Sequence, residues 1–173
     1  MALDTWTVYA PAVGYSTSKS LVDLTNGDAT KIAKLFRLWL LNNQTSAVTG
    51  VVLLLLLRRL TATSSGGSAL TPVSHDPSGT TALDGDITAG TGRTVTAGST
   101  FRRVMVSSDE PVVSGATWDE LECVVPFSVI WDSGYGDSNV APMTFRQNQG
   151  FDLQQSTTSV VGVSDLHFEF TQE

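Results

Sequence analysis

The chain is poor in the residues that most often carry chemistry or bind charged partners. It has one cysteine, Cys123, so no internal disulfide is possible. That cysteine sits among Leu121, Val124 and Val125 and reads as a buried free thiol, not a nucleophile. Lysine occurs three times, and ten basic residues face seventeen acidic ones for a net charge of -7. No basic cluster exceeds the pairs Arg58-Arg59 and Arg102-Arg103, which excludes the basic face that phosphate-backbone binding requires, so nucleic acid is not an expected partner. Two histidines are too few for a cupin-like metal centre. The N-terminus, MALDTWTVYAPAV, has no early Lys or Arg and is not expected to be a secretory leader. The most uniform apolar run, Val51 to Leu57, falls well short of the roughly 20 residues that cross a bilayer, so no membrane association is expected.

Charged residues make up 16% of the chain and hydrophobic ones 41%, with Gly, Ser and Thr abundant. That balance fits an all-β protein whose surface is partly covered by neighbours. At 173 residues the chain is long enough for one core and short for two, so a single domain spanning 1–173 is expected. The two most apolar runs lie nearly back to back between Lys31 and Leu60: KIAKLFRLWLL, the link NNQTSAVTG, and VVLLLLLRRL. Lys31 to Leu41 also fits helical spacing through Ile32, Leu35, Phe36, Trp39 and Leu40. A strand is preferred, because Ile32, Phe36, Leu38 and Leu40 share one face and the following run opens with two valines and is apolar on both faces at strand length. The pair is expected to form a central hairpin covered on both sides.

Along the rest of the chain, alternation predicts strands over Thr5 to Ala10 and Ser18 to Leu24, the latter ended by Asn26-Gly27-Asp28 in a hairpin leading into the central stretch. From Thr61 to Thr100 the composition turns to Thr, Ser, Gly, Pro and Asp. The segment is expected to protrude, with short edge strands near Ala69 to Val73 and Thr94 to Ala97. Further strands are predicted over Phe101 to Val106, Leu121 to Trp131 (Pro126 marking an edge or bulge), Met143 to Arg146, Phe151 to Gln155, Val160 to Val163 and Leu166 to Phe170. About ten strands and no convincing helix indicate an antiparallel β-sandwich, most simply jelly-roll-like, with a long Gly/Ser/Thr-rich loop segment.

Each potential site has a plainer reading. Asp165, His167 and Glu169 alternate on one strand face and could meet a metal, yet a solvated face opposite the buried Leu166, Phe168 and Phe170 accounts for them. His75, beside Asp76 and Pro77, reads as a turn residue. The loop Asp132 to Asp137 fails as a calcium loop: Asp137 stands where the hand needs Gly, and Met143 where it needs Glu. Gly85 to Gly92 is spaced like a phosphate loop but lacks the following Lys-Ser/Thr. Asp109-Glu110 and Asp119-Glu120 are adjacent and would face opposite sides of a strand, so they are not a glycosidase pair. Trp118, Trp131 and Tyr135 could stack on sugar or simply fill a core, and Asn43-Gln44-Thr45 is a formal sequon at a turn. No catalytic, cofactor-binding or metal residue is assigned, and an enzyme is not expected.

The segments LFRLWLLNNQTSAVTGVVLLLLLRRLT, SSDEP, VIWDSGYGD, APMTFRQNQGFDLQ and VVGVSDLHFEF together resemble small β-sandwich virion structural proteins of tailed bacteriophages. The resemblance covers roughly Thr30 to the C-terminus, and its motifs are structural. It implies a capsid decoration or cement protein, made in the bacterial cytoplasm and sited on the capsid surface. Such a protein binds the major capsid protein, here expected as a homotrimer. The rival expectation is a carbohydrate- or receptor-binding module of a phage fibre or tail.

Overall fold

The computed structural model describes residues 4–44, 52–79, 81–107, 127–134, 141–156 and 162–173. These residues form twelve strands and no helix. β1 (Thr5–Gly14), β3 (Ala33–Asn42), β6 (Val73–Ser74), β9 (Phe127–Asp132), β10 (Met143–Phe145) and β12 (Val163–Gln172) build sheet A. β2 (Val22–Asn26), β4 (Val52–Leu60), β5 (Ser68–Leu70), β7 (Ile87–Thr91), β8 (Ala97–Ser107) and β11 (Gln149–Gln155) build sheet B. Sheet A runs β10-β3-β12-β1-β6, with β9 also paired to β3, and sheet B runs β5-β7-β2-β11-β4-β8. Every pairing is antiparallel. The expected antiparallel, all-β sandwich is therefore the architecture seen.

The central hairpin is not. β3 belongs to sheet A and β4 to sheet B, and each is an inner strand with a partner on either side. The apolar stretch between Lys31 and Leu60 thus crosses from one layer to the other. The same holds for β2 and β3, so the hairpin expected around Asn26-Gly27 is also absent. From β1 to β4 each strand lies in the opposite sheet from the one before it, which is why these sequential strands pack face to face and do not pair.

Alternation along each strand fills the space between the layers. Sheet A contributes Trp6 and Val8, Leu35, Leu38 and Leu40, Phe145, and Leu166, Phe168 and Phe170. Sheet B contributes Val22 and Leu24, Leu53, Leu55 and Leu57, and Phe151 and Leu153. Phe151 meets Phe168 edge-on across the layers at 5.2 Å, and the rings continue through Phe170 to Trp6. Leu54 and Leu56, on the other face of β4, are only half-buried, so the leucine run is covered on one side and open on the other.

Phe36 departs from the expected face. The ladder shifts where Glu169 pairs with Arg37 and Phe170 with Leu35, leaving Phe36 as the extra residue of a β-bulge. Ala33 and Leu35 before it, and Leu38 and Leu40 after it, point into the core. The described part of the 61–100 segment adds strands to the sheets: β7 pairs with β2, β5 with β7, and β6 with β1. The predicted strand over Leu121 to Trp131 is described only from Phe127, and residues 121–126 with Cys123 and Pro126 lie outside the described residues.

Candidate functional site

The outer face of sheet A brings together the most chemistry. Cross-strand register sets two rows side by side. In the first, Tyr9 pairs with His167, His167 with Trp39, and Trp39 with Val129. Their rings stack across the strands: Tyr9 on His167 at 4.6 Å, His167 on Trp39 at 5.7 Å, and Trp39 tilted against Phe127 at 6.4 Å. In the second row Thr7 pairs with Glu169, Glu169 with Arg37, and Arg37 with Asp132. Arg37 lies 3.3 Å from Asp132 and 3.8 Å from Glu169, so one guanidinium is shared by two carboxylates.

An open depression of about 750 Å³ runs over this second row, within the volume range of ligand sites. His75 stands at one end, its Nε2 2.5 Å from Thr7 Oγ1 and its backbone N–H bonded to Thr5 O. Thr5, Thr171, Glu169 and Arg37 line the middle, and Asp132, Ser133, Gly134 and Pro142 the far end. Thr171 is buried, and its Oγ1 has no hydrogen-bond partner among the described residues.

The triad Asp165, His167 and Glu169 does share the outer face of β12, but its members do different things. Asp165 is occupied: Oδ2 accepts from the Tyr9 hydroxyl at 2.7 Å, and Oδ1 from the Ala12 amide and the Asn43 side chain. The Tyr9 phenol is raised above its ordinary pKa, chiefly by that bond to Asp165. His167 is held between two rings, and burial lowers its pKa against the opposing pull of Asp165, which favours the neutral imidazole. Glu169 turns to Arg37. The three do not converge on a common point. The side chains of Asn43 and Gln44, from the sequon, hold Asp165 Oδ1 and the Val163 amide.

The glycines between Gly85 and Gly92 lie in and beside β7, with Gly90 beneath the Arg93 guanidinium. Trp131 packs edge-on with Phe101 at 5.0 Å as part of the core margin. Asp109, Glu110, Trp118, Asp119, Glu120, Tyr135 and Asp137 lie outside the described residues.

Sequence reading missed two groups. Asp28, Asp84 and Asp86 bring carboxylate oxygens within 4.8 Å of one another. These acids already serve their own turns, Asp28 accepting from the Thr30 and Lys31 amides and Asp84 from the Asp86 amide. Those amides hold the Asp28 carboxyl below its ordinary pKa. The second group lies on the outer face of sheet B, where Arg58 pairs with Asp152 and Arg93 with Asp23, both aspartates fully buried. Ser64 closes over Asp23 Oδ2, and Arg93 also bonds Ser64, Thr88 and the Ala89 carbonyl. Its four charges cancel, so it is a structural clamp.

No protein-family model, curated protein or solved structure matches the chain. No helix among the described residues is long and apolar enough to cross a membrane.

Proposed function

We propose that this protein is a structural component of a tailed-phage virion, a capsid decoration or cement protein that acts by binding, without catalysis. The observation that carries the reading is an apolar strip on the outer face of β4 and β8. Val52 and Met105 are 53% and 70% exposed, and Leu54, the register partner of Met105, and Leu56 are half-buried beside them. A strip of this kind along a sheet margin suits a permanent contact. Covering it against the major capsid protein would contribute roughly 25 cal/mol per Å² of apolar area, before the cost of ordering is subtracted.

The strand order supports a finer reading of the fold as a jelly roll. With β5, β6 and β7 set aside, β1-β12-β3-β9/β10 faces β2-β11-β4-β8. An order of first, last, third and sixth against second, seventh, fourth and fifth is the double Greek key shared by viral coat and lectin domains. Fold alone does not assign function, so the virion reading also leans on the sequence resemblance. In this reading the protein sits as a homotrimer on the capsid surface, with neither nucleic acid nor membrane as partner.

The test is addition of the purified protein to capsids of the encoding phage that lack it. Saturation at a fixed stoichiometry, with a rise in the temperature at which heads release DNA, is the expected outcome. A protein that stays monomeric in light scattering and binds no capsid overturns the reading.

A further inference from the structure

We propose that the depression on the outer face of sheet A binds a neutral polysaccharide laid across the strands. This site is on the opposite outer face from the apolar strip, and the inference stands independently of the virion reading.

Four observations lead there. The trough runs from His75, beside the β6 edge, over β1, β12 and β3 to Asp132 on β9. Five strands at about 4.8 Å spacing give it a length of roughly 19 Å, suited to an extended ligand. Its lining mixes donors and acceptors: the Arg37 guanidinium, the Asp132 and Glu169 carboxylates, and the Thr5 and Thr171 hydroxyls. A sugar hydroxyl both donates and accepts, so this mixture matches it where an all-basic or all-acidic lining would not. Thr171 is part of the lining, and its buried Oγ1 has no hydrogen-bond partner among the described residues; a polar group withdrawn from water in this way carries a desolvation cost that a ligand hydroxyl reaching it would relieve. In the neighbouring row Tyr9, His167 and Trp39 stack ring on ring, and Tyr9 at its end, 48% exposed, leaves apolar ring surface beside the trough against which the C–H face of a sugar can lie.

Charge and geometry select among polymers. With two carboxylates to one guanidinium, and a net charge of -7 on the chain, an acidic glycan or a nucleic acid is repelled. An extended peptide would add along a sheet edge, pairing backbone with backbone, whereas this trough crosses strands whose backbone groups are already paired.

Affinity electrophoresis of the full chain reads this directly, using gels containing a soluble glucan, a mannan or a galactomannan, with polygalacturonate as the acidic counterpart. Retardation by at least one neutral polymer is expected, and not by polygalacturonate. Thr171→Val removes the hydroxyl at nearly constant shape. It should weaken the retarding interaction several-fold while leaving thermal stability unchanged or raised, an outcome that a purely structural threonine would not give. Arg37→Ala should weaken it about tenfold, the loss expected of one charge-assisted contact worth about 1.4 kcal/mol. The proposal is overturned if no neutral polymer retards the protein, if polygalacturonate alone does, or if both folded variants bind as the parent does. Capsid binding is scored separately, so loss of one property leaves the other readable.

Discussion

Arg58 and Asp152 face each other in register across β4 and β11, with Nε 3.1 Å from Oδ1 and Nη2 2.6 Å from Oδ2. The carboxylate has no solvent exposure and the arginine side chain is 17% exposed. This fork-to-fork pair ties the inner strands of sheet B on the face away from the core. Burial pushes the Asp152 carboxyl above its ordinary range even with Arg58 opposing it.

Removing the guanidinium alone strands a buried charge. Arg58→Ala is expected to cost about 3 kcal/mol, the low end for a broken buried pair because water can reach the vacated space. Replacing both partners, as Arg58→Met with Asp152→Leu, should recover most of that loss. Urea midpoints of the three proteins check it; equal midpoints for the parent and the single variant would show that the carboxylate is hydrated.

Asp23, the register neighbour of Asp152, gives a pH dependence with a definite sign. Burial pushes its pKa up from 3.8 to about 6, with the repulsion of Asp152 adding to it and Ser64 and Arg93 working against it. The folded pKa lies above the unfolded one, so the native state holds the proton more tightly. The stabilising contribution is fully present below about pH 4 and is lost as the pH rises through 6. Between pH 7.5 and 5 this site should therefore gain stability on acidification, of order 1–2 kcal/mol at about 1.4 kcal/mol per unit of pKa. Asp23→Asn should flatten that gain. Unfolding curves at the two pH values decide it, and parallel behaviour of parent and variant would remove Asp23 as the cause.

Gly150 has no room for a methyl group. A Cβ there would sit 2.0 Å from the Leu24 carbonyl oxygen and 3.0 Å from Thr25 Cα, both backbone atoms of the neighbouring strand β2. Gly150→Ala must therefore push β2 and β11 apart, at a cost of about 3 kcal/mol or more. Gly85, with nothing within 4 Å and no positive φ, is the control: Gly85→Ala should be neutral or stabilising by about 0.4–1 kcal/mol. Thermal melts of the two variants separate them, and similar melting temperatures would contradict the close approach.

The apolar strip can be tested without disturbing the fold. Met105 is 70% exposed, so Met105→Lys is expected to change the unfolding free energy by no more than about 0.5 kcal/mol. The same substitution should sharply reduce addition to capsids if the strip is a contact surface. Normal binding by a folded Met105→Lys protein would move the contact elsewhere.

Much of the strand grammar is legible in the sequence. Leu166, Phe168 and Phe170 announce an inward face by strict alternation, and all three are buried. The preference for a strand over a helix in the Lys31 to Leu41 run holds, with β3 spanning Ala33–Asn42. What the sequence does not disclose is pairing. A strand with apolar residues on both faces looks alike whether its neighbour is the next strand or one a hundred residues away, so β3 and β4 read as a hairpin although they lie in different layers. The bulge at Phe36 is similarly invisible. One extra residue reverses the parity of everything before it, so the core face ahead of Leu38 is taken by Ala33 and Leu35 in place of Ile32 and Phe36. The depression is hidden for a different reason: its lining is drawn from β1, β3, β9 and β12 and two loops, and no short motif spans them.

The order of strands also bears on how the chain is made. The main ladder of β1 is with β12, and β2 and β3 likewise wait for the late strands β11 and β12. During synthesis the N-terminal strands leave the ribosome with their apolar faces and backbone groups unmatched. The central ladders of sheet A close only when β12 has been released. A chain that stops before β12 lacks the strand between β1 and β3, so it has no native sandwich to settle into.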